Sequence, residues 1–108
     1  MKYLHNYVTN QLKLKCVLIS IPESAYEMED CKIHEELRTK RTEVNRKLKN
    51  LAEENKENTL FCDITSTLSY VSLSEEERKK IWDDKLHFTP LGYDMMGNKI
   101  YETIKNFI

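Results

Sequence analysis

The stretch that decides the fold is LKCVLISIP, Leu14 to Pro22. Its apolar residues follow one another without a polar alternation, and it stops at a proline. That is the pattern of a strand buried on both faces, as in a parallel sheet whose two sides are covered by helices. A second run, Thr59-Leu60-Phe61-Cys62-Asp63-Ile64, has the same character. Between the two, from His34 to about Asn55, Leu37, Val44, Leu48, Leu51 and Ala52 mark one helical face, interrupted at Arg41. Strand, helix and strand make a β-α-β unit, so the two strands are expected to be parallel with a right-handed crossover. The fold class is α/β.

The flanks extend this reading. Leu4, Val8 and Leu12 recur every four residues and predict a short amphipathic helix at the start. Pro22 to Ile33 reads as a loop. Ser74 followed by Glu75-Glu76-Glu77 predicts a capped helix running to about Trp82. Thr89 then caps a last helix with Pro90 in its first turn and Met96, Ile100, Ile104, Phe107 and Ile108 as its apolar stripe. A helix that feeds straight into a strand buried on both faces is the second half of a crossover, and two strands do not make a stable doubly wound sheet. The pattern therefore predicts at least one further strand ahead of Met1, and open faces at Val17, Ile19, Leu60 and Phe61 through which copies can associate.

At 108 residues the chain is one domain. Its net charge of −1 argues against a general binder of nucleic acid or anionic membrane. Cys16, Cys31 and Cys62 are an odd number, two of them within apolar runs, which suits reduced thiols and a cytoplasmic setting. No apolar run approaches the roughly 20 residues of a membrane span. Cys31-Lys32-Ile33-His34 has the spacing of half a zinc site but lacks a second pair, so no metal or cofactor is expected. Arg38, Lys40, Arg41, Arg46, Lys47 and Lys49 are flanked by Glu35, Glu36, Glu53 and Glu54 on the same helix, the pattern of a solvated, salt-bridged face. His5 and His34 read as solvent-facing.

The chemistry-bearing stretch is Asp83-Asp84-Lys85-Leu86-His87-Phe88-Thr89. In an open α/β sheet the reactive groups sit on loops beyond the carboxyl ends of the strands. A carboxylate three residues before a histidine in a turn reaches the Nδ1 side of the imidazole, fixes its tautomer and leaves Nε2 free to take a proton. The bland alternative is a surface turn with Asp83 or Asp84 as a cap.

The block from Asp84 through His87, Thr89, Pro90, Gly92 and Tyr93 resembles the last conserved block of the SGNH, or GDSL, serine esterases and lipases. Arg41, Asn45 and a strand ending at Asp63 match that family more loosely. The resemblance implies His87 as general base and Asp84 as its orienting carboxylate. It also implies the C-terminal portion of a flavodoxin-like, three-layer fold with parallel strands. Residues 1–108 would then be a partial domain of an enzyme cleaving small carboxylic esters through a serine acyl-enzyme. The family's Gly-Asp-Ser nucleophile block and its oxyanion blocks do not occur in this sequence, and none of Ser20, Ser24, Ser66, Ser69, Ser72 or Ser74 carries a nucleophile signature. The alternative role is a non-catalytic remnant that binds a partner. Lys85 stands where the family often has glycine; a positive φ there would shift the turn, and an extended or helical one would leave it intact.

Overall fold

The computed structural model describes residues 2–107. Strand β1, Cys16–Ile19, and strand β2, Thr59–Cys62, pair in parallel, with Cys16 beside Thr59 and Ile19 beside Cys62. Helix α1 covers Lys2–Asn6 and continues as a π-helical turn, Tyr7–Gln11; α2 covers His34–Glu54, α3 Glu75–Ile81 and α4 Pro90–Ile104. The predicted β-α-β unit is therefore present, and the α/β class with it. Ile108, placed by its spacing on the last apolar stripe, lies outside the described residues.

Alternation along the strands sends residues to opposite sides. Cys16, Leu18 and Phe61 meet Leu48, Leu51 and Ala52 of α2. On the other side, Val17 and Cys62 join Ile64, Leu68, Ile81 and Trp82, with Met95, Met96 and Ile100 of α4 packed against them. The pair of strands is thus the middle layer between α2 and α4. Only Leu18 and Cys62 of the strands' apolar side chains are buried; Ile19 stays 38% exposed, and Leu14 and Ile21 just outside the strand are about half exposed. Of the faces expected to be open at Val17, Ile19, Leu60 and Phe61, that of Ile19 is exposed, Leu60 is partly buried, and Val17 and Phe61 are partly buried against the two clusters.

Both strands are shorter than the sequence runs that form them. Ser20 explains the carboxyl-terminal end: its N–H still donates to the Cys62 carbonyl at 3.0 Å, but the next amide, that of Ile64, is taken by the Ser20 hydroxyl oxygen at 2.8 Å. A side chain replaces the ladder there. That hydroxyl in turn donates to Asp63 Oδ1, which also accepts from the Thr65 amide and hydroxyl.

The first helix departs from its predicted stripe. Leu4 and Leu12 are exposed, and the inward residues are His5, 2% exposed, and Thr9, 6%. His5 is thus a buried residue and not a solvent-facing one. Its Nε2 lies 2.7 Å from Thr59 Oγ1, and because that hydroxyl donates to Asn58 Oδ1 at 3.0 Å, it accepts the Nε2–H of His5. The face turned to the strand thus carries His5 and Thr9, with His5 hydrogen-bonded to it, and not the two leucines. The shift to π winding at Tyr7 also breaks the four-residue recurrence on which the stripe rested.

The caps are as read. Ser74 and Glu77 form a reciprocal capping box, and Thr89 Oγ1 accepts from the Gly92 amide at 3.2 Å with Pro90 following in the first turn. Gly92 sits where α4 leaves α3: a Cβ there would lie 2.5 Å from the Ile81 carbonyl oxygen and 2.8 Å from Phe88 Cβ, whereas one on Gly97 would meet nothing within 4 Å. Gly92→Ala is accordingly expected to cost about 1–3 kcal/mol by overpacking. Gly97→Ala should stabilise by about 0.5–1 kcal/mol by removing a flexible residue from a helix interior. Urea unfolding of both variants checks this pair of opposite signs, and equal midpoints would contradict it.

Candidate functional site

Asp84 and His87 lie in the turn between α3 and α4, and that turn is built by its own backbone. Trp82 and Phe88 form an antiparallel bridge across its base, and Asp83 N–H donates to the His87 carbonyl at 2.8 Å. Thr89 N–H donates to the Ile81 carbonyl at 2.8 Å, which brings the end of α3 against the start of α4. Beneath the turn, Trp82 packs between Tyr70, edge-on with centroids 5.2 Å apart, and Phe88, tilted with centroids 4.5 Å apart. The Trp82 indole N–H donates to the Ser69 carbonyl at 2.8 Å, satisfying the polar end of a ring that is otherwise buried.

Within this frame the Asp84 carboxylate does two things. Oδ1 accepts from the backbone amides of Leu86, at 2.7 Å, and His87, at 2.6 Å, closing the turn on itself. Oδ2 lies 2.9 Å from His87 Nδ1, which places the Nδ1–H tautomer toward the carboxylate. Nε2 has no hydrogen-bond partner among the described residues, so its lone pair is free to take a proton. The two amides, followed by the imidazole, hold the Asp84 carboxyl well below the usual range, down to about 2. Both side chains are open to water, 54% exposed for Asp84 and 64% for His87, so their attraction is screened.

Lys85 does not strain this turn. Among the described residues the non-glycine residue at positive φ is Lys13, at 58°, and Lys85 is not one. Lysine is therefore accommodated where the SGNH block often has glycine. The Lys85 carbonyl also accepts the Ala25 amide at 3.1 Å, a contact from the loop that follows β1.

The looser matches meet the segments that follow the two strands. The Asn45 side chain grips the backbone of Ile21, accepting its N–H at 2.7 Å and donating to its carbonyl at 2.9 Å. Arg41 forks onto Glu27 through Nε at 2.7 Å and the terminal nitrogen at 3.0 Å. Asp63 closes the end of β2; burial pushes its carboxyl up, but the Thr65 hydroxyl and amide, Ser20 and Lys99 together hold it below its usual value. These residues brace loops. Glu27, 3% exposed, and Glu23, whose Oε1 accepts from the Tyr70 and Val71 amides at 2.7 and 2.8 Å, were not singled out by sequence. The signal for Glu27 was the arginine that interrupts the apolar face of α2, since a cation on an inward face requires a carboxylate opposite it.

Other candidates separate from this site. A shallow recess beyond the strand ends is lined by Glu23, Arg41, Thr65, Ser66, Ser69 and Ser72, yet no serine hydroxyl among the described residues is hydrogen-bonded to His87. The Cys31-to-His34 spacing is an N-terminal helix contact: His34 Nδ1 lies 2.7 Å from the Cys31 carbonyl oxygen, and no group of three or more metal-binding side chains gathers among the described residues. His34 is half-buried by that contact. Four of the six basic residues of that stretch of α2 are paired, Lys40 to Glu36 at 2.9 Å, Lys47 to Glu43 at 3.3 Å, and Arg38 and Arg41 to Glu27. No helix among the described residues is long and apolar enough to cross a membrane.

No protein-family model, curated protein or solved structure significantly matches this chain.

The order of causes at Asp84 yields a prediction. Because the backbone amides of Leu86 and His87 outrank the imidazole, His87→Ala is expected to leave the Asp84 carboxyl titrating clearly below 3.8. A depressed folded value stabilises the turn above its unfolded value and loses that support as pH falls from about 3.8 through about 2. Carbon-detected NMR titration of the carboxyl in both proteins measures it. Return of Asp84 to its ordinary value in the alanine variant would show that the imidazole, not the turn, holds the charge.

Proposed function

We propose that this chain is the C-terminal part of an SGNH-type serine hydrolase acting on small carboxylic esters, and that it supplies the acid–base half of the site. The observation that carries this reading is the Asp84–His87 pair: a carboxylate oxygen 2.9 Å from Nδ1, with Nε2 unengaged. In this role His87 takes the proton of an attacking serine hydroxyl at Nε2 and later returns it to the leaving alcohol. Asp84 holds the ring and stabilises the imidazolium without itself becoming protonated. Its capture by two amides suits that task, because the carboxyl stays ionised at any pH where the imidazole works. What supports this reading in the fold is a pair of parallel strands between two helices, with Ile19 of β1 exposed, as at the edge of a larger sheet.

The nucleophile and the oxyanion donors are not part of this reading of the 108 residues. Losing one oxyanion donor alone costs about 10²–10³ in rate, so the isolated chain is expected to show no saturable esterase turnover. The test is p-nitrophenyl acetate hydrolysis by the chain alone, and after addition of the N-terminal half of an SGNH esterase as a separate polypeptide, each with wild-type protein and His87→Ala. Turnover that appears on complementation and vanishes with His87→Ala supports the proposal. Saturable, His87-dependent turnover by the chain alone would reveal a nucleophile within it, and turnover in neither case would favour the non-catalytic remnant. The exposed Leu14, Ile19 and Ile21, at and beside β1, carry a companion expectation: light scattering after size-exclusion chromatography should show association that grows with concentration, and a strictly monomeric chain would count against the incomplete sheet.

A further inference from the structure

The Asp84–His87 turn is not fixed by its own hydrogen bonds alone, and its ties lead to one loop. We propose that the loop from Pro22 to Glu27 is the positioning element of the pair, with Ala25 as its point of contact and Glu27 as its anchor; the word positioning rests on the functional reading above. The Ala25 amide donates to the carbonyl of Lys85, the residue between Asp84 and the two amides that Asp84 captures. A shift of Lys85 therefore moves the carboxylate relative to the imidazole.

The loop is a bracket with its ends nailed to α2. At the start, Asn45 grips both backbone groups of Ile21. At the end, Glu27 is buried with Arg41 forked onto both of its oxygens and Arg38 Nε 3.8 Å from Oε1. Arg38 also donates to the Glu27 carbonyl at 3.3 Å. Between these anchors the Ser24 hydroxyl caps a short 3-10 turn, Ala25–Glu27, by accepting from the Tyr26 amide, which aims the Ala25 N–H outward to Lys85. A second tie runs through Glu23 to the Tyr70 and Val71 amides, whose carbonyls accept from Arg78 on α3, and on to Trp82 at the base of the turn through Ser69. A buried glutamate, two arginines and an asparagine thus hold a loop whose free backbone donor is spent on the candidate base's own turn. The strands alone need no such clamp: their ladder ends at Ser20.

The backbone offers a clean test. Ser24 is extended, with φ −133° and ψ −179°, and Ala25 is the first residue of the 3-10 turn. Proline suits a first helical position, and its predecessor prefers extended geometry, so Ala25→Pro deletes the N–H that reaches Lys85 without opposing the fold. Ala25→Ser keeps that N–H and serves as the control. Losing one hydrogen bond should speed exchange of the Leu86 and His87 amides by about 2- to 10-fold, measured by NMR. The Cys16 and Ser20 amides, which donate to the Asn58 and Cys62 carbonyls at the two ends of the strand pairing, should be unaffected. The Asp84 carboxyl should also titrate higher in Ala25→Pro than in wild type, with Ala25→Ser unchanged. Glu27→Gln, which removes the anchor's charge, should shift the same amides in the same direction. Unchanged Leu86 and His87 exchange in Ala25→Pro would overturn the proposal, and so would equal acceleration at Cys16 and Ser20, which would mark a general scaffold role. These readouts do not involve turnover, so failure of the esterase reading and failure of the positioning reading give different results.

Discussion

A parallel pair of strands four residues long cannot hold itself together, and that constraint organises everything else in this chain. Parallel strands must be covered on both faces and connected by a long crossover. Here α2 is both the crossover and the cover of one face, while α4 covers the other. The order of the chain follows: after β2, Ile64, Leu68 and, in α3, Ile81 already pack on the face that α4 then covers, and the Asp84–His87 turn joins the two helices there. The site is thus placed by the junction of the two helices on that face.

Polar groups decide the details that hydrophobic burial leaves open. Burial alone would allow the first helix to turn Leu4 and Leu12 inward, but the face turned to the strand carries His5, hydrogen-bonded to Thr59. Burial alone would allow β1 to run on to Ile21, but the Ser20 hydroxyl captures the Ile64 amide and ends the ladder. Glu27 is buried with Arg41 and Arg38 on its carboxylate; removing one partner of such a buried pair costs about 3–5 kcal/mol. In each case a side-chain contact made across more than a dozen residues stands where the local pattern pointed elsewhere.

That division explains what was legible in the sequence. The two strands, the long helix and both capped helices were readable because each rests on a local signal: an unbroken apolar run, a 3.6-residue period, Ser74 with Glu77, Thr89 with Pro90. The Asp84–His87 contact was readable for the same reason, since three residues in a turn is a local distance. His5 and Glu27 were not, because their partners lie 54 and 14 residues away and nothing nearby in the chain marks them. Arg41 was the one trace of Glu27 on the surface of the sequence, visible as a break in an otherwise apolar face. The geometry at Lys85 was equally closed to sequence reading, because a residue type constrains φ only when that φ is already known.

Gly92 changes how the block from Asp84 to Tyr93 should be weighed. Within those ten positions, Asp84 and His87 hold chemical groups, whereas Thr89, Pro90 and Gly92 meet demands of assembly: an amide to cap, a first helical turn to start, and a backbone that passes too close to Ile81 and Phe88 for a methyl group. Asp84 belongs to both sets, because the Leu86 and His87 amides close the turn on its carboxylate. Of these five residues, His87 is the one that places a group, its Nε2, that none of the described residues of the junction uses. The glycine that makes the block easy to recognise is a record of how two helices meet.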